Sequence, residues 1–169
     1  PFVRGTLIVH RNNNTEGVLV EGIESFSNPQ LLNLKDRFIA DDDIIIGSSL
    51  SDKLKLYTSD VLVAVPLIGF NGKLINLKYN KYQVGGIFKS GMEEYDKNLA
   101  YINLNNAQKL FSMQGKVSGY IVNSTEEIKY LVETINEHVK YPFYVETWKE
   151  RHRIIFDWVN TQKIPIIII

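Results

Sequence analysis

Apolar residues along this chain recur in short segments, and most of these segments have the length and spacing of β-strands. Residues 6–10 and 18–23 are two such segments, and the polar stretch between them contains Asn12, Asn13 and Asn14. Asparagine tolerates the left-handed backbone conformation that tight turns require. The pattern therefore predicts an N-terminal β-hairpin.

The middle of the chain predicts three further strands, which follow a helix. The helix covers residues 48–56, with one of its two leading serines as N-cap. Residues 61–65 form a continuous apolar run, which is typical of a strand that is covered on both faces. Residues 75–79 alternate apolar and polar side chains, which is typical of a strand with one wet face. With residues 82–88 these strands form a predicted antiparallel meander.

Beyond residue 98 the pattern changes to strands that alternate with helices. A strand at 99–102 leads into a helix at 104–113, for which Asn103 is the predicted N-cap. A second strand at 117–122 and a third at 143–146 complete this part of the prediction. This alternation predicts a second structural unit with helices packed on a sheet.

The helix predicted at 126–139 is the best defined local element of the sequence. Ser124 and Glu127 have the spacing of a capping box at its start. Thr147 and Glu150 have the same spacing at the start of a final helix. The helix at 126–139 carries apolar side chains at helical spacing, at Ile128, Leu131, Val132, Ile135 and Val139. This apolar stripe requires a sheet beneath it.

Composition limits the classes of function. The chain has 169 residues, of which 44% are hydrophobic and 22% charged, and this balance is ordinary for a globular protein with one core. Lys plus Arg and Asp plus Glu number 19 each, so the chain has no basic surplus that would attract nucleic acid. Cysteine is absent, which excludes disulfides, thiolate metal sites and a cysteine nucleophile.

Residue patterns for catalysis or metal binding are weak throughout. His10, His138 and His152 show no i to i+4 pairing, and residues 41–43 lack the alternating oxygen ligands of a calcium loop. The carboxylates of residues 93–96 follow a glycine turn, and we predict that they form a solvated structural connection. We therefore predict no catalytic, cofactor-binding or metal-binding residues, and we expect that the chain is not an enzyme.

One loop stands out as a possible contact with a partner. Residues 66–73 join two predicted strands and contain three large apolar side chains, those of Leu67, Ile68 and Phe70. Apolar side chains at a hairpin tip either fold back onto the sheet or dock into another molecule. The candidate partner-binding residues of this sequence are Leu67, Ile68 and Phe70.

The C-terminal residues 164–169 consist of five isoleucines and a proline. This run is shorter than the ~20 apolar residues that cross a bilayer. Two interpretations remain open from the residues alone, an apolar strand packed on the core and the beginning of a transmembrane segment.

Residues 84–111 carry a family resemblance. The matching positions are Gly86 to Phe88, Ser90 to Met92, Glu94 to Asp96, Leu104, and Ala107 to Phe111. This order of residues resembles the extracytoplasmic domain of lipoprotein-releasing ABC permeases, the Lol-type members of the MacB- and FtsX-like permease superfamily. Shorter matches in the same order occur at residues 1–3, 20–24, 46–50 and 144–148, so the resemblance covers nearly the whole chain.

The resemblance implies an α+β fold, a MacB-like periplasmic core domain with an α/β subdomain and an inserted β-rich subdomain. Residues 1–42 and 92–147 would form the α/β subdomain, without the strand and helix with which the family domain normally begins. The inserted β-rich subdomain would be residues 43–91, and residues 148–163 a stalk helix. Residues 164–169 would then begin a transmembrane segment.

The resemblance also implies a function without cofactors. The domain would lie in the periplasm as part of a bacterial inner-membrane permease that couples cytoplasmic ATP hydrolysis to lipoprotein release. Implied partners are a cytoplasmic ATP-binding subunit, a second permease copy or paralogue, the lipoprotein substrate and a periplasmic lipoprotein chaperone. In the family, one paralogue recruits this chaperone through a longer loop than residues 66–73. Alternative functions are peptide export, regulation of a cell-wall hydrolase, or a free-standing binding module.

Overall fold

The structure is a computed structural model, and it describes residues 1–11, 13–24, 42–67, 79–122, 124–125 and 127–151. The chain divides into two compact units, residues 1–121 and 122–169. The first unit contains a β-barrel with short helices, and the second contains two helices within its described residues.

The N-terminal hairpin is confirmed, with strands longer than predicted. β1 (Phe2–Arg11) pairs antiparallel with β2 (Asn14–Ile23) along their whole length. Asn13 lies in the turn with a φ of 68°, the left-handed conformation for which asparagine is suited. The local turn chemistry therefore sets the hairpin register.

Four more strands in the described residues close this hairpin into a barrel. They are β3 (Asp43–Gly47), β4 (Val61–Pro66), β5 (Asn80–Phe88) and β6 (Leu99–Asn103). The order around the barrel is β1-β2-β6-β3-β5-β4, and β4 returns to pair with β1. The β2–β6 and β3–β5 pairs are parallel, and the other pairs are antiparallel.

Alternation along the strands separates a barrel interior from an outer surface. The inward side chains of β1 and β2 include Val3, Leu7, Val18 and Val20, which are fully buried. Those of the other strands join the same core: Ile44, Ile46, Leu62, Ala64, Tyr82, Val84, Ala100 and Ile102. A second apolar cluster of outward side chains consists of Ile23, Ile45, Phe88, Leu99 and Tyr101.

Three helices accompany the barrel in the first unit: α1 (Ser48–Leu54), α2 (Glu93–Asn98) and α3 (Leu104–Leu110). α1 and α3 extend the core with Leu50, Leu54, Leu104 and Ala107. The N-cap of α1 is Gly47, without a side-chain bond, so the predicted serine cap is wrong.

The second unit contains α4 (Ile128–His138) and α5 (Trp148–Arg151). The capping box of α5 is confirmed, because Thr147 N–H donates to Glu150 Oε2 at 2.8 Å and Glu150 N–H donates to Thr147 Oγ1 at 3.1 Å. The hydrogen bonds that Thr147 N–H and then Thr147 Oγ1 donate to the carboxylate lower the pKa of Glu150. The predicted box of α4 differs, because its N-cap is Glu127 without a side-chain bond.

The described strands of the two predicted subdomains lie in one barrel. Strands from residues 43–91 and strands from residues 1–42 and 92–147 belong to one closed sheet. β3 pairs with both β5 and β6, so the described strands of residues 43–91 share their sheet with strands outside that range. Strand order depends on long-range pairing, which periodicity along the sequence does not report.

Several predicted elements either do not form or lie outside the described residues. Residues 117–122 form one isolated bridge, between Phe2 and Gly119, and residues 143–146 form no strand. The predicted strand at 75–79 lies outside the described residues except for Tyr79, which precedes β5. Most of the predicted stalk helix and all of residues 164–169 also lie outside them.

The confirmed N-cap of α3 supports a first prediction. Asn103 Oδ1 accepts a hydrogen bond from Asn105 N–H at 2.8 Å. We expect Asn103→Ala to lower the free energy of unfolding by ~1 kcal/mol, because this amide loses its acceptor. Urea unfolding measures the change. Asn105→Ala is the matched control, since its backbone N–H is kept, and an equal loss in both variants would contradict the capping role.

Candidate functional site

Asp96 is the centre of a polar corner between α1, α2 and the end of β5. Its side chain is 3% exposed, although it carries a carboxylate. Oδ1 accepts from Ser90 N–H at 2.8 Å and from Ser90 Oγ at 2.7 Å, and Oδ2 accepts from Ser48 Oγ at 3.1 Å. Ser90 Oγ in turn accepts from Met92 N–H at 3.1 Å. The carboxylate therefore joins α2 to the start of α1 and to the end of β5.

Close packing reinforces this corner. A Cβ added to Gly47, where β3 passes into α1, would lie 2.5 Å from Asp96 Cα. No other residue fits there without moving the backbone. The corner consists of Gly47, Ser48, Ser90 and Asp96, and the same four residues hold the two helices together.

The prediction of a solvated connection at residues 93–96 is wrong for Asp96 and correct for its neighbours. Glu93 and Glu94 are exposed, and Glu94 Oε2 accepts from Asn98 Nδ2 at 3.1 Å. A buried carboxylate requires several donors, and here two serines from distant parts of the chain supply them. Ser90 lies near Asp96 in the sequence, so its hydrogen bond to the carboxylate could have been predicted. The bond from Ser48, which is distant in the sequence, could not.

The predicted partner-binding residues are only partly within the described chain. Leu67 follows β4, its side chain is 43% exposed, and its N–H donates to Thr6 O at 2.8 Å. Ile68 and Phe70 lie outside the described residues. The structure therefore places one of the three side chains at the surface and does not test whether they act together.

Leu67 lies at the end of an apolar surface that the periodicity of the sequence does not predict. Ile8 on β1 faces Val65 on β4, and Leu19 on β2 faces Thr6 on β1. The apolar outward side chains of these strands form what we call the open sheet face: Ile8, Leu19, Val61, Val63, Val65 and Leu67. Thr6 and His10 of β1 lie among them. All six are partly or largely exposed. The pairing of β1 with β4, which creates this face, joins residues more than 50 positions apart.

Polar side chains border the open sheet face at both ends. At one end Arg4 forms an ion pair with the buried carboxylate of Glu21 and lies over the Phe2 ring, 5.0 Å from its centroid. At the other end Arg11 forms an ion pair with Asp60 at 3.2 Å. The N–H of Tyr57 at 2.9 Å and then the charge of Arg11 lower the pKa of Asp60.

The tip of the N-terminal hairpin contacts α1. Lys53 Nζ forms an ion pair with Glu16 at 2.7 Å, and Asn14 Nδ2 donates to Lys53 O at 3.5 Å. Exposed ion pairs stabilise little on their own, but these contacts join β2 to a helix that also packs in the core. The tip of the hairpin and α1 are therefore in direct contact.

The remaining candidates for chemistry are not assembled into a site. His10 Nδ1 lies 3.0 Å from Thr15 Oγ1, and His138 Nδ1 lies 2.9 Å from Thr134 O. Within the described residues no three His, Asp or Glu side chains are grouped to hold a metal. Of the helices in that part of the chain, none has the length and apolar content needed to span a bilayer.

Tyr82 supports a prediction on pH dependence. Burial in the barrel, together with the charge of Asp42, raises the pKa of Tyr82 to about 12 from 10.0. The unfolded chain releases this proton first, so we expect stability to be complete below pH 10 and to fall as the pH rises toward 12. The loss is at most about 1.4 kcal/mol per pH unit. Urea unfolding across this interval measures it.

Two variants test the assignment to Tyr82. Tyr82→Phe has no phenol to titrate, so the difference in unfolding free energy between this variant and the native chain should change with pH above 10. Asp42→Asn should make the loss smaller and complete it at a lower pH, because it removes a charge that raises the pKa of the phenol in the folded chain. A pH-independent difference for Tyr82→Phe would overturn the assignment.

Comparisons with known proteins find a distant structural likeness. No protein-family model matches the sequence, and no curated protein matches it. The chain is similar to the crystal structure of the extracellular domain of the noncanonic ABC-type transporter YknZ from Gram-positive bacteria. The sequence identity is 15%, the TM-score is 0.47, and the match covers 86% of this chain and 79% of that one. A likeness of this size does not establish a shared fold or function.

Proposed function

We propose that this chain is the extracytoplasmic domain of an ABC transporter permease that couples cytoplasmic ATP hydrolysis to lipoprotein release from the inner membrane. The observation that carries this proposal is the segment 84–111, whose residues match the pattern of lipoprotein-releasing permeases in order and spacing. Ser90 and Asp96 belong to that pattern and form the polar corner. We infer that these two residues match the pattern because they stabilise the structure of the domain.

The proposed role of the domain is mechanical. Every strand of the described barrel has a neighbour on each side, so backbone hydrogen bonds connect all six strands. The polar corner and the hairpin contacts join α1 to the barrel at two places. Such a unit transmits movement as a rigid body. In this proposal ATP hydrolysis occurs on a separate cytoplasmic subunit, and the domain itself is not an enzyme.

The open sheet face is the proposed place for contact with a partner outside the cytoplasm. It is mostly apolar and partly exposed, and it includes Leu67, one of the candidate partner-binding residues of the sequence. Apolar surface of this kind on a soluble domain commonly marks an interaction site. The partner in this proposal is the periplasmic chaperone that accepts the released lipoprotein.

Reconstitution of the complete permease with its ATP-binding subunit tests the proposal. The complex is placed in liposomes that contain an acylated lipoprotein, and the lipoprotein transferred to soluble chaperone is measured with and without ATP. We expect ATP-dependent transfer. ATP hydrolysis without lipoprotein transfer would contradict lipoprotein release and would favour peptide export or regulation of a cell-wall hydrolase, while absence of any stimulated ATP hydrolysis would contradict a permease.

A pair of surface variants in the same assay tests the role of the open sheet face. We expect Leu67→Glu to reduce lipoprotein transfer about tenfold and to leave ATP hydrolysis unchanged, because a charge in an apolar contact is costly to desolvate. Tyr57→Glu is the matched control, since Tyr57 is also an exposed apolar residue but lies outside this face. Equal transfer by both variants would exclude the open sheet face as the contact.

A further inference from the structure

The chain that follows α3 returns to the start of β1 and forms hydrogen bonds with it. Phe2 N–H donates to Gly119 O at 2.9 Å, and Ser118 N–H donates to Phe2 O at 2.8 Å. Arg4 N–H donates to Ser118 Oγ at 2.9 Å. A Cβ built on Gly119 would lie 3.0 Å from Cε1 of Phe2, so glycine permits this close approach. We call Ser118 and Gly119 the clamp.

The clamp binds a part of β1 that lies beyond its pairing with β4. β4 pairs with residues 7–10 of β1, and Leu67 N–H donates to Thr6 O at 2.8 Å. Alternate residues of a strand direct their backbone groups to the same neighbour, so Phe2 and Arg4 offer theirs on the same side of β1 as Thr6. The clamp therefore continues the hydrogen bonding of this side of β1 to the start of the strand.

The chain between α3 and the clamp is itself held in place. Gln108 Nε2 donates to Lys116 O at 2.8 Å, and Lys116 N–H donates to Met113 O at 2.8 Å. A Cβ built on Gly5 would overlap the ring of Phe111, so this ring packs against the backbone of β1. The clamp therefore belongs to a chain segment that contacts the barrel from α3 onward.

The side chains directly after the clamp are exposed. Tyr120 is 71%, Ile121 is 45% and Val122 is 60% exposed, although all three are large and mainly apolar. The boundary between the two compact units lies within this stretch, between residues 121 and 122. A stretch with so little buried apolar surface opens locally at a low cost in free energy.

We propose that the clamp anchors the link between the two units on β1, and that residues 120–122 are the hinge of this link. A pull on the second unit then bends the hinge and reaches the hydrogen bonds of Phe2 and Arg4 before any other part of the barrel. β1 receives this pull, and β1 pairs with both β2 and β4. The inference does not rest on the proposed function.

Hydrogen exchange of the whole chain tests the anchor. Ser118→Pro removes the amide that donates to Phe2 O, and we expect Phe2 N–H, which donates to Gly119 O, to exchange about tenfold faster in this variant. Unchanged exchange of β5 amides shows that the barrel remains folded. Val122→Pro is the matched control, because it lies beyond the clamp, and it should leave Phe2 N–H unchanged. Equal exchange of Phe2 N–H in Ser118→Pro and in the native chain would overturn the anchor.

Limited proteolysis of the native chain locates the hinge. Tyr120 and Lys116 are both exposed, but only Lys116 precedes the clamp. Each cleavage rate is divided by that of an unstructured peptide with the same local sequence. We expect chymotrypsin to cleave after Tyr120 at least tenfold faster, on this scale, than trypsin cleaves after Lys116, because cleavage follows local opening. Equal rates, or faster cleavage after Lys116, would place the flexible point before the clamp and overturn the inference.

Discussion

Replacing Asp96 by alanine is expected to lower the free energy of unfolding by about 3 kcal/mol. The carboxylate accepts bonds from Ser90 N–H, Ser90 Oγ and Ser48 Oγ, and alanine removes the acceptor for all three. Ser48 and Ser90 are near enough to the surface to recover part of this loss by binding water. The rest of the unfolding free energy is not recovered, because the hydrogen bond that links α1 to α2 is absent.

Equilibrium unfolding in urea measures this loss, and three further variants separate its origins. Asp96→Asn keeps one acceptor oxygen, so its loss should be intermediate. Ser48→Ala should cost less than Asp96→Ala, because it removes one of the three bonds. Glu93→Ala is the matched control, since Glu93 belongs to the same helix but is exposed. If Asp96→Ala and Glu93→Ala are equally stable, the polar corner contributes nothing to the fold.

Replacing Gly22 by alanine is expected to lower the free energy of unfolding by about 3 kcal/mol, for a steric reason. A Cβ at position 22 would overlap the Cβ of Ala107 and lie 3.4 Å from the Leu104 Cα. Gly22 is on β2 and Ala107 is on α3, so the added methyl group would push the helix off the barrel. The close contact between these two elements requires glycine on one side.

A compensating double variant distinguishes overlap from a general effect of alanine in the strand. Gly22→Ala with Ala107→Gly restores the space, so we expect it to recover all but the ~1 kcal/mol that glycine costs within a helix. Gly17→Ala is the control in the same strand, because nothing lies within 4 Å of a Cβ built there. Absence of recovery in the double variant would show that the clash with Ala107 is not the cause.

Turns and helix caps could be predicted from the sequence, because a few neighbouring residues determine them. The asparagines between β1 and β2 predicted the turn, Asn103 predicted the cap of α3, and Thr147 with Glu150 predicted the cap of α5. Each of these features depends on hydrogen bonds between residues at most three positions apart. The residues that form each feature are therefore close neighbours in the sequence.

The open sheet face was not predictable in the same way. Val61 to Val65 has the continuous apolar pattern of a strand covered on both faces, and the prediction followed that pattern. In the structure Leu62 and Ala64 are buried whereas Val61 is exposed and Val63 and Val65 are half-buried. One face of β4 turns outward because the barrel closes through β1, and that closure is a long-range pairing.

By itself the sequence determined the positions of most strands in the first unit and the helix caps at Asn103 and Thr147. The tertiary structure alone decided that six strands of the described chain form one closed sheet, that Asp96 is buried, and that β1, β2 and β4 share an apolar outer face. The physical reason is how far apart along the chain the interacting residues lie. Periodicity and capping act over a few residues, whereas strand order and the burial of a carboxylate depend on segments that meet only when the chain has folded.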